Sequence, residues 1–178
     1  MKRPARIICF LASLAVLALP VSAARRDPLT ELETDQLREA AQDPPLKLKL
    51  LIKFTRQRLE SAEALRFDPK AGPDRARQIH DLLEDFGSLV DELSDNVDAY
   101  ASRKEDLRKP LAEVIAATND FAARLRDFKA AASASPAAAK EAKAYSFVLE
   151  DAIDSVNAGL QNAVQLLEEQ KEQFKKRK

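Results

Sequence analysis

Apolar residues recur at alternating spacings of three and four from Leu83 to Phe128, the longest regular pattern in the chain. Leu83, Phe86, Val90, Leu93, Val97 and Tyr100 set the phase. Lys104 takes the next seam position and interrupts the apolar series. Leu107, Leu111, Val114, Thr118, Phe121, Leu125 and Phe128 then resume it in register. An average repeat of 3.5 residues marks the seam of a coiled coil or helical bundle. The unbroken phase, with no Gly or Pro between 88 and 109, favours one helix over about 74–131, kinked at Pro110. A capping-box pattern in Ser102-Arg103-Lys104-Glu105 supports the other reading, two helices parted near 102–109.

Shorter periodic segments flank this one. The segment at about 29–42 opens with Thr30-Glu31-Leu32-Glu33, a capping-box pattern, and has a thin apolar face. The segment at about 45–66 begins Leu46-Lys47-Leu48-Lys49-Leu50, alternating like a strand. The alternation fails at Leu51-Ile52, and the stripe Leu48, Leu51, Ile52, Thr55, Leu59, Ala62 reads as helix. Over about 136–175, Leu149, Ile153, Val156, Leu160, Ala163, Leu167 and Phe174 share a face. Asp43-Pro44 and Ser135-Pro136 fit an N-cap followed by the first helical residue. The expected fold is all-α: an elongated antiparallel helical bundle or coiled coil over residues 24–178. If the long helix breaks, the alternative is an up-down four-helix bundle.

The first 23 residues stand apart from this pattern. Lys2, Arg3 and Arg6 precede an uncharged apolar run from Ile7 to Leu19, then Pro20 and the small residues of Val21-Ser22-Ala23. This reads as a secretory signal peptide, which places the protein in the periplasm or outside the cell. The competing reading is a membrane anchor, for which the run is short. Cys9 lies inside the run, not at a cleavage site, so it does not fit a lipoprotein.

Cleavage changes the chemistry that remains. The 178-residue chain has 29 basic and 29 acidic residues, and the signal carries three of the bases and none of the acids. The exported chain would hold 26 against 29, a net charge of −3. That disfavours general binding of nucleic acid, which needs a basic surface. The only Cys and the only Met would also leave, and with them disulfides, thiol chemistry and Cys-based metal sites.

His80 is the only histidine, which rules out paired His metal motifs. No nucleophile-elbow sequence is present. No catalytic, cofactor or metal residue is assigned, and the expectation is that the protein is not an enzyme. The most distinctive polar feature is an acidic stripe on the long segment: Asp81, Glu84, Asp91, Glu92, Asp95 and Asp98, with no Lys or Arg from 78 to 102. Such a stripe suits a basic partner, or neutralisation by a neighbouring helix. Lys49, Lys53 and Arg56 share one face of the second segment and are the expected internal mates. At the other end, Lys171, Lys175, Lys176, Arg177 and Lys178 complement a helix dipole and could touch an anionic membrane surface weakly.

Leu29-Thr30-Glu31-Leu32-Glu33 resembles the Leu-Thr-x-x-Gln motif of small periplasmic helical chaperones of the Spy type, with Glu in place of Gln. Five residues do not assign the family. The resemblance implies only a kind of work open to an exported helical protein without a catalytic set.

The functional expectation is an exported, non-enzymatic helical protein. It would bind or scaffold envelope or secreted proteins, or associate with itself. The alternative is a bundle that binds a small molecule or metal, with Tyr100, Tyr145 and Phe147 lining a pocket between helices.

Overall fold

The computed structural model describes residues 27–68 and 70–175; residues 1–23, expected from sequence to be a signal peptide, and the terminal bases Lys176, Arg177 and Lys178 lie outside them. Every regular element among the described residues is a helix. These are α1 (Glu31–Glu39, continued by a 3-10 turn at Ala40–Gln42), α2 (Pro44–Phe67), α3 (Arg75–Ser102), α4 (Arg108–Ala132), α5 (Pro136–Ala142) and α6 (Ser146–Lys175).

The expected caps set several helix starts. Thr30 Oγ1 accepts from the Glu33 N–H at 3.3 Å, and Glu33 Oε2 accepts from the Thr30 N–H at 2.8 Å, which completes the capping box of α1. Asp43 accepts from the Leu46 N–H at 3.1 Å with Pro44 as first helical residue. Ser135 accepts from the Ala138 N–H at 3.1 Å with Pro136 in the same role. Each cap satisfies a backbone donor that the first helical turn leaves without a partner.

The long helix over 74–131, favoured by periodicity, is not what forms. The chain breaks between Ser102 and Arg108. The expected Ser102…Glu105 capping box is absent too, because Ser102 is still the last residue of α3. The break is made from the other side, by a helix C-cap. Lys104 has φ of 62°, the left-handed region. The Lys104 N–H donates to the Ala101 carbonyl at 2.9 Å, and the Glu105 N–H to the Tyr100 carbonyl at 3.2 Å. This pair of bonds is the Schellman pattern that ends helices.

α4 starts at Leu107 without a side-chain cap of its own. Gln170 of α6 supplies one from across the bundle. Its Oε1 accepts from the Leu107 N–H at 2.9 Å, and its Nε2 donates to the Glu105 carbonyl at 2.9 Å. Gln170 is only 7% exposed, so one amide ties the turn to α6 from inside.

The last segment divides as well, where one helix over 136–175 was expected. The N–H groups of Ala144 and Tyr145 donate to the carbonyls of Glu141 and Ala142 at 3.1 and 3.0 Å, closing a tight turn. The turn seats Tyr145 in the core, edge-on to Phe128 with ring centres 6.0 Å apart. The Ala-rich α5 buries none of its residues, and Arg75 of α3 holds it by two hydrogen bonds of 2.6 Å to Glu141.

Helices α2, α3, α4 and α6 make a four-helix bundle in which consecutive members reverse direction. Around the bundle the order is α2, α3, α6, α4. α3 and α4, joined by the shortest link, therefore lie on a diagonal. Adjacent helices sit about 10 Å apart, so the diagonal is about 14 Å. Five linking residues reach about 17 Å when extended, which is enough. Phe86 and Phe121 meet across it edge to face, with centroids 5.5 Å apart.

The diagonal makes two neighbouring pairs parallel. Arg124 of α4 meets Glu63 of α2 at 3.1 and 2.5 Å, and Arg66 donates to the Phe128 carbonyl at 3.0 Å, a near-constant offset along both chains. Asn162 of α6 likewise donates to Asp98 of α3 at 2.7 Å. A Cβ built on Gly159 would come within 2.9 Å of Ser94 Oγ, so this glycine permits the close approach of α6 to α3.

The predicted seam is the core. Every apolar seam residue from Leu83 to Tyr100 and from Leu107 to Phe128 is buried. Thr118 and Thr55 are buried too, each donating to the carbonyl four residues earlier, at 2.7 and 2.8 Å. Phe54, outside the predicted stripe of α2, is also buried, because α2 is covered by α1 as well as by α3 and α4.

α1 is held to α2 by charge. Arg58 donates to both carboxylate oxygens of Glu33 and to the Pro28 carbonyl. Burial alone would raise the Glu33 carboxyl. The hydrogen bonds from Arg58 and from the Thr30 N–H outweigh it and hold this carboxyl below its ordinary range.

Three outcomes test this architecture. Lys104→Gly removes a side chain from a left-handed residue and is expected to stabilise the fold by about 0.5–1 kcal/mol. A lower urea midpoint would contradict the Schellman turn. Gln170→Leu leaves the Leu107 N–H buried without an acceptor and is expected to cost about 1–3 kcal/mol, read as a lower midpoint at unchanged m. The third concerns acid. Because the Glu33 carboxyl is depressed, the unfolded chain binds more protons than the native one as pH falls below the ordinary value of 4.5. Its stabilisation is complete above that pH and is lost as pH falls through the native value. Melting temperatures of Glu33→Gln should therefore fall less steeply with acid than those of the parent. Parallel curves would remove Glu33 from the account.

Candidate functional site: two faces of opposite charge

α3 presents the acidic stripe to solvent. Glu84, Asp91, Glu92, Asp95 and Asp98 are exposed and Asp81 is half-buried. Asp98 accepts from Asn162 of α6, and Glu92 accepts from Asn96 at 2.8 Å. Glu84 and Asp91 border a groove of about 290 Å³ between α3 and α6. Gly87 and Ser88 of α3 and Ala152 and Ser155 of α6 also line it, and their small side chains leave the space open. α6 adds Asp151 and Phe147 to its edge. Phe147 is 84% exposed.

His80, Asp81 and Glu84 bring one ligand atom each within 4.8 Å of one another. His80 Nδ1 lies 3.4 Å from an Asp81 carboxylate oxygen. Three such groups on one turn of helix offer partial coordination to a divalent cation, short of the six to eight oxygens that calcium takes.

The expected internal mates are elsewhere. Lys49, Lys53 and Arg56 do not face the acidic stripe of α3. They line the side of α2 that meets α4, where Arg56 lies 3.9 Å from Asp120. The reason is topological. α2 has two bundle neighbours, and the diagonal turn makes α4 the second one.

This α2/α4 side is the most open of the four. It carries two adjoining grooves of about 820 and 650 Å³ that share Leu46, Lys49 and Glu113. The floor is apolar: Leu46, Leu50, Ile52, Pro110, Ala116 and Ala117. Lys49, Lys53, Arg56, Arg108 and Lys109 stand on the rim against Asp43, Asp106 and Glu113, five bases to three acids. Arg108 stands at one end, tied to Asp106 by hydrogen bonds of 2.8 and 2.6 Å that hold the Asp106 carboxyl at about 2. Lys49, Lys53 and Lys109 make no ion pair among the described residues.

The bundle is thus layered by charge. α2 and α4 together hold eleven Lys or Arg against five Asp or Glu, a net +6. α3 and α6 together hold four against thirteen, a net −9. Because the order around the bundle is α2, α3, α6, α4, these two pairs form opposite faces. The basic rim on α4 was not picked out from sequence, nor was the part α6 plays in the acidic face. A signal was present: residues 144–170 contain no Lys or Arg, as 78–102 do not.

The other predicted groups are dispersed. Lys171 and Lys175 each bond a glutamate three residues earlier, Glu168 at 2.7 Å and Glu172 at 2.6 Å. Tyr100 and Tyr145 are both buried, near opposite ends of the bundle, whereas Phe147 is exposed. The three aromatics therefore do not line one pocket. Among the described residues no helix is long and apolar enough to cross a membrane.

No protein-family model, curated protein or solved structure matches the chain.

Proposed function

We propose that this is an exported, non-enzymatic binding or scaffolding protein of the cell envelope that works through its charged faces. The observation that carries the reading is the separation of charge onto opposite sides of one bundle. Mixed charge along each helix supports solubility without favouring any partner. Separated charge steers encounter, fixes orientation and rejects partners of the wrong sign. An adaptor or a chaperone-like protein needs those properties and needs no catalytic set. Export rests on the signal-peptide pattern of residues 1–23.

In-cell cross-linking after fractionation tests it. Adducts with envelope proteins should concentrate on the α3/α6 and α2/α4 faces. Neutralising Asp91, Glu92, Asp95 and Asp98 as D91N, E92Q, D95N and D98N should change stability by no more than about 0.5 kcal/mol per site, as exposed substitutions do. It should also lower adduct yield severalfold. Unchanged yield would take the acidic stripe out of the mechanism, and a chain found only in the cytoplasm would end the envelope reading.

A further inference from the structure

We propose that the chain assembles head to tail with copies of itself, the acidic α3/α6 face of one copy seated in the basic-rimmed α2/α4 groove of the next. The proposal rests on the reading of the charged faces as binding surfaces and names what one of them binds.

The groove has the shape and charge of a docking site for an acidic helical surface. Its floor is apolar and reachable from solvent, with Leu46 45% exposed. Its rim lysines are not consumed by pairs within the described fold. The lined stretch of α2 from Leu46 to Arg56 spans about 15 Å at 1.5 Å per residue. The complement lies on the opposite side of the same molecule. There Phe147 stands clear of the surface with Glu84, Asp91 and Asp151 around the same groove. An apolar side chain bordered by carboxylates is what an apolar floor with an excess of bases at its rim accepts.

Charge also selects the symmetry. A two-fold dimer through either face would set like charge against like, acidic on acidic or basic on basic. Acidic face against basic groove is the pairing that both signs favour. Such a contact is heterologous, and the two surfaces lie on opposite sides of the bundle. Each added copy therefore presents a fresh groove or a fresh acidic face, and the assembly grows as an open chain.

Sedimentation velocity on the exported chain, purified whole, tests this over two decades of concentration. At about 20 mM NaCl the weight-average sedimentation coefficient should climb past the dimer value. At about 300 mM, where the Debye length is only several ångströms, it should return to the monomer value. Two charge reversals then decide the geometry. K49E/K53E/K109E removes the groove, and E84K/D91K/D151K removes the acidic face. Each alone should sediment as a monomer while keeping the parental circular dichroism. Mixed in equal amounts, they should associate again, because each retains the surface that the other has lost and the two reversed surfaces are themselves of opposite charge. Phe147→Ser alters a solvent-exposed side chain and so leaves the fold intact; it should weaken association at least about tenfold.

A parent chain that stays monomeric throughout would overturn the proposal. So would assembly that survives either reversal, or a mixture that stays monomeric. Saturable binding of the groove to anionic vesicles by a chain that remains monomeric would overturn it in favour of lipid. Monomeric protein whose envelope cross-links still map to the two faces would remove self-assembly and leave the binding reading standing. Loss of both would remove both.

Discussion

The turn between α3 and α4 governs the molecule. Once the Schellman bonds around Lys104 end α3 at Ser102, five residues must carry the chain to the start of α4. Gln170 fixes where they land by holding the Leu107 N–H and the Glu105 carbonyl from α6. That placement sends α4 to the diagonal, beside α2 and α6. A turn that led α4 to the adjacent position would have set it against α3. The basic helices would then have been separated and the acidic ones interleaved with them. The charged faces are therefore a consequence of topology at one turn, and a single buried amide defends that topology.

The seam from Leu83 to Phe128 was readable because burial in a helix follows a 3.5-residue repeat whatever the partner. The break inside it was hidden by arithmetic. Tyr100 and Leu107 are seven residues apart, one full heptad, so a turn that replaces two helical turns leaves the phase intact. Lys104, the one charged residue on the seam, was the visible trace of it. The division of the last segment at 143–145 left no comparable trace, since an Ala-rich stretch has neither an apolar face to lose nor a Gly to mark its end.

Individual charges were legible and their neighbours were not. The acidic stripe of α3 could be read because helical spacing gathers its members locally. Its expected neutralisation by Lys49, Lys53 and Arg56 depended on which side of α2 faced which helix. That is decided by contacts sixty residues apart in sequence. Arg58 is the instructive contrast. The capping box of α1 was legible from four consecutive residues, but the guanidinium that locks Glu33 arrives from α2 and carries no local signature.

Setting helices of like charge side by side carries a cost in self-repulsion. The molecule lowers that cost differently in its two layers. In the basic layer, Glu63, Glu60 and Asp120 lie between α2 and α4 against Arg124 and Arg56, so the few acids stand where two cationic helices approach. In the acidic layer the middle of the interface has no cations to use. α3 and α6 meet there through neutral groups instead: Asn162 donating to Asp98, and Gly159 against Ser94. Both solutions screen the inner contacts and leave the outward charge in place. A fold selected for stability alone would have mixed the signs along each helix, where pairs three and four apart contribute a few tenths of a kcal/mol each. Retaining the separation while insulating its seams is the arrangement that the proposed recognition through outer charge requires.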